Sequence, residues 1–314
     1  MRTRPRVALA SVCCLGLALT GCGSNKKSVV AAPTVSAAPT GDASAQPTDT
    51  ALPQVSADPT LAAAVPTALA SSGTLTIGTD STYAPNEFLA ADGHTVEGFD
   101  VDLFNAVAAK LGLSTKYVSA PFTNIIPGVQ SAKYDLGVSS FTINADRLKV
   151  ADMVSYFSAG TQWATAAGNA AGVSLDDACG KRVAVQTGTV EVDDLKARSK
   201  KCTDAGKKSI TLDQYQGQDQ ATAAVVSGKD DAMSADSPVT GYAVAQTKGK
   251  LATLGDIYGS APYGYVLKKG QTAFAEAIAE AVNELIAEGS YHQILAHWGV
   301  TAGAVETARV DPTP

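Results

Sequence analysis

The segment Ser139-Ser140-Phe141-Thr142-Ile143-Asn144-Ala145-Asp146-Arg147 concentrates three kinds of hydrogen-bonding group in a short space: hydroxyls, an amide and one guanidinium. A guanidinium presents a rigid fork of donors that matches a carboxylate in two-point geometry, and the hydroxyls of Ser139, Ser140 and Thr142 add neutral donors beside it. The chemistry this suggests is reception of a carboxylate. On local grounds alone a plainer account is favoured, in which the serines cap a short helix at Asn144 and Arg147 is a solvated surface charge. The rest of the chain must decide between them.

The residues that precede the segment, Asp135-Leu136-Gly137-Val138, read as a short buried strand. Its carboxyl end is where α/β proteins bind ligands. Upstream, Thr74-Leu75-Thr76-Ile77-Gly78-Thr79 alternates as a strand and runs into a polar loop, Asp80-Ser81-Thr82-Tyr83-Ala84-Pro85. A helix follows with Val101, Phe104, Val107, Ala108 and Leu111 on one face, Asp100 near its start and Gly112 past its end. Asp100 and Asp102 read as helix-start residues that interact favourably with the dipole. Thr115 to Val118, Met153 to Phe157 and Gln162 to Ala166 read as extended, and Asn124 to Ala132 as a short helix.

A second α/β unit begins near Ala167. Arg182 to Val185 is a strand, Gly188-Thr189 opens a helix, with Thr189 its cap, and a short strand at Ala232-Met233 delivers Asp236 at its carboxyl end. Tyr263 to Leu267 is a strand, and Phe274, Ile278, Ala281, Val282 and Leu285 stripe a long helix. Alternating strands and helices imply an α/β fold with a mostly parallel sheet covered on both faces.

The start of the chain carries the signs of export. Arg2, Arg4 and Arg6 precede a short apolar run from Val7 to Leu19, and then comes Leu19-Thr20-Gly21-Cys22. Small residues before a cysteine resemble a bacterial lipobox, so residues 1–22 are expected to be a lipoprotein signal peptide and Cys22 to carry the lipid. Residues 23–72, rich in Ala, Pro, Thr, Ser and Val, are expected to be a disordered linker that tethers a folded body above the membrane. Loss of three arginines and no acid takes the formal charge from −6 to −9. That balance, with no basic run, argues against a nucleic-acid partner.

Two cysteines remain in the folded body, Cys179 and Cys202. In an extracytoplasmic protein they are expected to form a disulfide. His94, His292 and His297 lie in unrelated segments, so no metal site is expected.

Seven motifs in order now point one way. They are Gly78-Thr79-Asp80 with Tyr83-Ala84-Pro85, Gly98-Phe99-Asp100-Val101-Asp102-Leu103, Ile126-Pro127 behind Phe122, Ser140-Phe141-Thr142-Ile143 with Arg147, Gly188-Thr189, Tyr215-Gln216-Gly217-Gln218-Asp219, and Gly228-Lys229 ahead of Asp231 and Asp236. From about Thr74 to Trp298 the chain resembles the family 3 extracellular solute-binding proteins, the polar amino-acid receptors of ABC importers. The resemblance implies a two-lobed periplasmic-binding-protein-like fold (type II) with the ligand cleft between lobes. Residues 73–165 and 263–298 would form the first, discontinuous lobe and 166–262 the second, with crossings near Gln162 to Ala166 and Ala261 to Tyr265. Residues 299–314 would be a C-terminal tail.

It also implies roles. Arg147, helped by the Ser140 hydroxyl and by Thr142, would clamp an α-carboxylate, with Ser139 beside them. The turn at Gly188, Thr189 and Val190 would offer amide donors, and Asp236 would accept from the α-ammonium. Tyr83 and Phe122 would sandwich the ligand side chain, and Asp80 would face its polar end. Two positions depart from the family pattern: Asn86 stands where many relatives have phenylalanine, and Val190 where some basic amino-acid binders have a hydroxyl. Selectivity is therefore expected from Asp80, Tyr83, Asn86 and Phe122. The implied function is a lipid-anchored, monomeric extracytoplasmic receptor that delivers a polar or cationic amino acid to an ABC permease, with no cofactor and no catalysis. The alternatives are a cyclohexadienyl-dehydratase-like enzyme on the same fold and a ligand sensor.

Overall fold

Eight strands form one sheet in the computed structural model, which describes residues 47, 48 and 51–313. The expectations for the signal peptide, Cys22 and most of the linker lie outside the described residues. In chain order the strands are β1 (Thr74–Thr79), β2 (Thr82–Tyr83), β3 (Glu87–Leu89), β4 (Val96–Glu97), β5 (Ser114–Ser119), β6 (Leu136–Thr142), β7 (Ala151–Ala166), β8 (Arg182–Gln186), β9 (Thr211–Tyr215), β10 (Ala232–Asp236) and β11 (Leu251–Lys268). The large sheet runs β5-β1-β6-β11-β7-β10-β8-β9, and β2, β3 and β4 make a small second sheet.

The sheet is less parallel than the sequence suggests. Parallel strands occupy its two ends, β5-β1-β6 and β10-β8-β9, and the long antiparallel pair β7 and β11 joins them. Residues 151–158 of β7 pair with 262–268 of β11 beside β6, whereas 161–165 of β7 pair with β10. β7 keeps β11 as a neighbour there, through residues 251–258, and gains β10 from Thr161, just before the expected Gln162 to Ala166. On β11 the register shifts between Tyr258 and Ala261, so the joining strands bend between the two ends of the sheet.

Each end builds its own core. At one, helices α3 (Phe99–Lys110), α9 (Thr272–Ala287) and α10 (Ser290–His297) cover β1, β5 and β6, and the expected stripe of Val101, Phe104, Val107, Ala108 and Leu111 is buried. At the other, α6 (Val190–Asp204) and α7 (Gln218–Val226) cover β8, β9 and β10 around Val183, Val185, Leu195 and Val225. Cys179 and Cys202 form the expected disulfide there. Closing a 23-residue separation removes about 3 kcal/mol of chain entropy from the unfolded state.

Two boundaries need correction. The expected linker does not continue to Ser72: Pro59–Ala63 (α1) and Thr67–Ser72 (α2) are helical. Asp58 caps α1 by accepting from Thr60 and Leu61 N–H, Pro59 fits the first turn, and Leu61 and Val65 bury their side chains in the core over β1. Nor do the described residues of the expected C-terminal tail, 299–313, all stand apart from the folded body. Val300 and Ala308 are buried in the same core, and Val310 bridges to Val154. Three short helices complete the site region: α4 (Ile125–Gln130), α5 (Ala145–Val150) and α8 (Ser237–Gln246).

Leu61→Ala tests the first correction. A buried leucine that loses its side chain costs roughly 2–4 kcal/mol, so the denaturant midpoint should drop markedly. A midpoint unchanged within error would mean that this stretch is only a spacer.

Candidate functional site

The carboxyl ends of β1, β6, β8 and β10 converge on one cavity. It has an empty volume of about 270 Å³ and is lined by Asp80, Tyr83, Phe122, Ser139, Ser140, Thr142, Arg147, Gln186, Thr189, Val190, Glu191 and Asp236. All but one of the residues expected to contact a ligand line it. The exception, Gly188, contributes its carbonyl, which accepts from Arg147 Nη2 at 3.3 Å.

Arg147 begins its turn of α5 because Asn144 caps that helix, its Oδ1 accepting from Arg147 N–H at 2.9 Å. A short helix does begin at Asn144, as in the plainer account, but the cap is Asn144 itself and not the serines, and Arg147 lines the cavity instead of standing as a solvated surface charge. Its guanidinium donates to Thr142 O at 2.7 Å and lies 5.4 Å from the ring centres of both Phe122 and Phe141. Those rings stack on each other with centroids 4.5 Å apart. A weakly hydrated planar cation suits that apolar bed. Desolvation lowers the Arg147 pKa, opposed by the charges of Glu191 and Asp236.

Asp236 closes β10 and precedes α8, whose Pro238 fits the first turn. Tyr83 Oη donates to Asp236 Oδ2 at 2.8 Å, joining the small sheet to the end of β10 in the large one. Burial, then the neighbouring Glu191 charge, push Asp236 well above the usual carboxylate range, and burial and Asp236 do the same to Tyr83. Glu191, in the first turn of α6, is buried and accepts from Thr161 Oγ1 at 2.9 Å. Burial raises its pKa too, against the pull of Thr161, Thr189 and Arg147.

Asp80 does two things at once. Its Oδ1 accepts from Thr82 N–H at 3.1 Å and Thr82 Oγ1 at 2.6 Å, an ordinary Asx turn after a strand. Its Oδ2 accepts from Phe122 N–H at 2.9 Å and from Gln186 Nε2 at 2.9 Å, so it also ties together the two ends of the sheet. Four donors fill the lone pairs of one carboxylate. Burial is the main reason its pKa is raised.

Several expectations change. The Ser140 hydroxyl, expected to donate to a ligand, points away from the cavity and meets Asp100 Oδ2 at 3.0 Å and Glu87 Oε2 at 3.3 Å. The Ser139 hydroxyl donates to Glu87 Oε1 at 3.0 Å and accepts from Asp80 N–H at 3.0 Å. Asn86 is fully buried behind the cavity, where Nδ2 donates to Ser140 Oγ at 2.8 Å. Asp100 stands in the first turn of α3 as expected, and its side chain is buried and hydrogen-bonded to Ser140 N–H. Thr189 sits at the helix cap position but spends its hydroxyl on Gln186 O at 3.0 Å. Gln186 and Glu191 were not anticipated. Gln186 ends a strand beside the ligand face, and that position was the signal for it.

With this geometry in place, comparison with known proteins places the chain. Residues 75–301 match the model of the bacterial extracellular solute-binding proteins, family 3, and the chain belongs to that family. It is 37% identical over 255 residues to the arginine-binding protein ArgT of Corynebacterium glutamicum, covering 81% of this chain and 83% of that protein. An ancestral arginine-binding protein bound to arginine shares its structure with TM-score 0.66 and 33% identity, over 72% of this chain and 98% of the other. An ancestral amino-acid-binding protein described as a precursor of cyclohexadienyl dehydratase also matches, with TM-score 0.66 and 28% identity, over 74% of this chain and 97% of the other. The two-lobed type II fold is thus the fold of this chain. No helix among the described residues is long and apolar enough to cross a membrane.

Gly188 allows the turn that brings its carbonyl to Arg147. Its φ is +84°, and a Cβ there would lie 2.5 Å from Thr123 Cγ2. Gly188→Ala is expected to cost about 1–2 kcal/mol in chemical denaturation. A protein melting like the parent would show that this turn tolerates a side chain.

Proposed function

We propose that this chain is an extracytoplasmic receptor that closes two lobes on a cationic amino acid, arginine foremost, and presents it to an ABC importer. One observation carries the reading: a single buried cavity sets one guanidinium, Arg147, among three carboxylates, Asp80, Glu191 and Asp236. An amino acid's own carboxylate balances Arg147, and its ammonium balances one acid. Two acids are left over, and a cationic side chain is the ligand chemistry that offsets one of them. The ligands that the relatives are named for, arginine in two of the three, agree with a site that favours a cation.

Within this reading Arg147 clamps the α-carboxylate, together with Thr142 and the amides of the turn at Gly188, Thr189 and Val190. Asp236 accepts from the α-ammonium, its second oxygen being available beside the bond from Tyr83. Tyr83 and Phe122 wall the side chain. Asp80, its lone pairs filled, acts through its charge, and Glu191 adds a second acidic charge near Arg147. Residues 73–165 and 263–298 form the first lobe, with 59–72 and 299–311 packed on it, and 166–262 form the second. The receptor is a monomer that binds without catalysis and is held at the membrane by lipidated Cys22.

Calorimetry with L-arginine, L-lysine, L-histidine and L-glutamine tests the ligand class. Arginine is expected to bind in the micromolar range or tighter, about 8 kcal/mol or more, and Arg147→Ala to weaken it at least about 100-fold. Glutamine binding as tightly as arginine would overturn the cationic assignment. No binding of any of the four would overturn the receptor reading.

The pH dependence follows from the raised acids. Burial makes Asp80, Glu191 and Asp236 hold protons above the ordinary carboxylate range, and a bound cation favours their ionised forms. Binding therefore releases protons, and affinity rises with pH from about 4 towards neutrality. Calorimetry near pH 5.5, in buffers of differing ionisation enthalpy, should show that release. Proton uptake would contradict it.

The dehydratase alternative has one point in its favour. A carboxyl whose pKa is raised by burial, such as Asp236, is a candidate general acid. Incubation with a cyclohexadienyl carboxylate should leave it unchanged, and appearance of a dehydrated product would reassign the chain.

A further inference from the structure

Behind the cavity two acids meet. Glu87 in β3 and Asp100 in the first turn of α3 are both fully buried. Gly98 lets them approach: its φ is +140°, and a Cβ there would lie 2.1 Å from the Asn86 carbonyl oxygen. Asp100 N–H donates to that oxygen at 3.0 Å, and Phe99 N–H to Pro85 O at 3.0 Å, so the start of α3 docks directly on the loop before β3.

What the two acids hold is the strand that lines the cavity. Asp100 Oδ2 accepts from Ser140 N–H at 2.9 Å, Ser140 Oγ at 3.0 Å and Tyr156 Oη at 2.7 Å. Glu87 Oε1 accepts from Ser139 Oγ at 3.0 Å. Ser140 has φ +50°, a left-handed conformation that residues with a Cβ rarely adopt, and both of its bonds to Asp100 keep it there.

A count of protons around Ser140 Oγ is decisive. That oxygen has one hydrogen to give. It already accepts from Asn86 Nδ2 at 2.8 Å, and it faces Asp100 Oδ2 at 3.0 Å and Glu87 Oε2 at 3.3 Å. Whichever carboxylate takes the serine hydrogen, the other meets a bare lone pair unless it carries a hydrogen of its own. Asp100 Oδ2 collects the Ser140 amide and the Tyr156 hydroxyl as well, so the anion belongs there and the extra proton on Glu87.

We propose that Glu87 and Asp100 are a proton-sharing pair of positioning residues, holding one proton between them at neutral pH and locking Ser140 in the conformation that shapes the binding cavity. The functional half rests on the reading of that cavity as an amino-acid site. Burial, and then the Asp100 charge, push Glu87 well above the usual range, and burial pushes Asp100 up to about 6. The titratable groups that face the pair are Asp80 after β1, Tyr117 of β5, Tyr156 of β7 and Tyr265 of β11. These are an acid and three phenols, none of them a cation. Two buried negative charges without a cation repel strongly, which is why one proton stays.

The direction with pH follows. Folded Glu87 binds its proton more tightly than unfolded Glu87, so its contribution to stability is complete below the ordinary glutamate range. It is lost as pH rises through the folded value. Loss of that proton sets a second negative charge against Ser140 Oγ and Asp100, which competes for the serine hydrogen and weakens the hold on Ser140, so ligand affinity falls on the alkaline side.

The test uses the full chain and Glu87→Gln, Glu87→Ala and Asp100→Asn. Infrared difference spectra near neutral pH, without ligand, should show the carbonyl stretch of a protonated carboxylic acid in the parent and lose it in Glu87→Gln. Calorimetry with L-arginine should find Glu87→Gln within about threefold of the parent, because its amide donates to Ser140 and accepts from Ser139. Its alkaline fall in affinity should be absent. Glu87→Ala and Asp100→Asn should each bind at least about tenfold more weakly. Absence of the band, or parental affinity and pH profile in Glu87→Ala, would overturn the pair. Should Glu87→Ala fail to fold, an alkaline fall unchanged in Glu87→Gln would do the same. A parent that shows the band but does not bind L-arginine would retain the shared proton and refute its functional half together with the receptor reading.

Discussion

A guanidinium taken out of water must find acceptors, and the way Arg147 finds them organises this molecule. Its Nη1 donates to Thr142 O in its own lobe at 2.7 Å, and its Nη2 to Gly188 O in the other at 3.3 Å. Those are neutral acceptors for a full charge, and the nearby Glu191 and Asp236 act on it through space. A ligand carboxylate offers what these carbonyls do not, a charge-assisted two-point partner. The cavity is thus built around a cation only partly compensated by the protein, and in the proposed reading the acids beside it call for a second cation from the ligand.

The sheet delivers these groups because strands from both ends point their carboxyl termini at one place. Asp80 ends β1, Ser139 to Thr142 end β6, Gln186 ends β8 and Asp236 ends β10. The long strands β7 and β11 hold both ends at a fixed spacing, and their register shifts put the bend between them. The acids around Ser140 extend the same logic one layer back. The left-handed residue that shapes the cavity is itself fixed by buried hydrogen bonds to Asp100.

Much of this was legible in the residues. Strand and helix alternation follows from periodicity, and ligand groups at strand ends follow from the architecture. Arg147, Asp236, Asp80, Tyr83 and Phe122 all reach the cavity as their order in the chain implies. What was not legible depends on direction and on distance. Ser139 and Ser140 read as donors to a ligand, yet a positive φ at Ser140 belongs to a backbone held by a residue forty positions away. Asp100 and Glu191 look like ordinary first-turn acids, and only tertiary contact shows both to be buried. The helices of residues 59–72 hid in a composition rich in Ala, Pro and Thr. The few large side chains there, Leu61 and Val65 among them, sufficed to anchor them. The Asp58-Pro59 pair was the local sign of a helix start.

The contacts across the cleft also say how binding and closure are linked. Tyr83 donates to Asp236, Gln186 to Asp80, Arg147 to Gly188 O, and Gln218 N–H to Thr82 Oγ1 at 3.1 Å. Each such bond contributes on the order of 1 kcal/mol net, against the entropy of fixing two lobes and the cost of drying several charges. In the proposed reading, a ligand that pairs with Arg147 and Asp236 together meets both only in the closed form, because the two residues belong to different proposed lobes. Its differential affinity for that form is what shifts the population. Neutral closing bonds set the shape, and charge supplied by the ligand decides the state. That division keeps a cleft with a surplus of acids selective, since an amino acid without a cationic side chain leaves the left-over carboxylates uncompensated when the lobes meet.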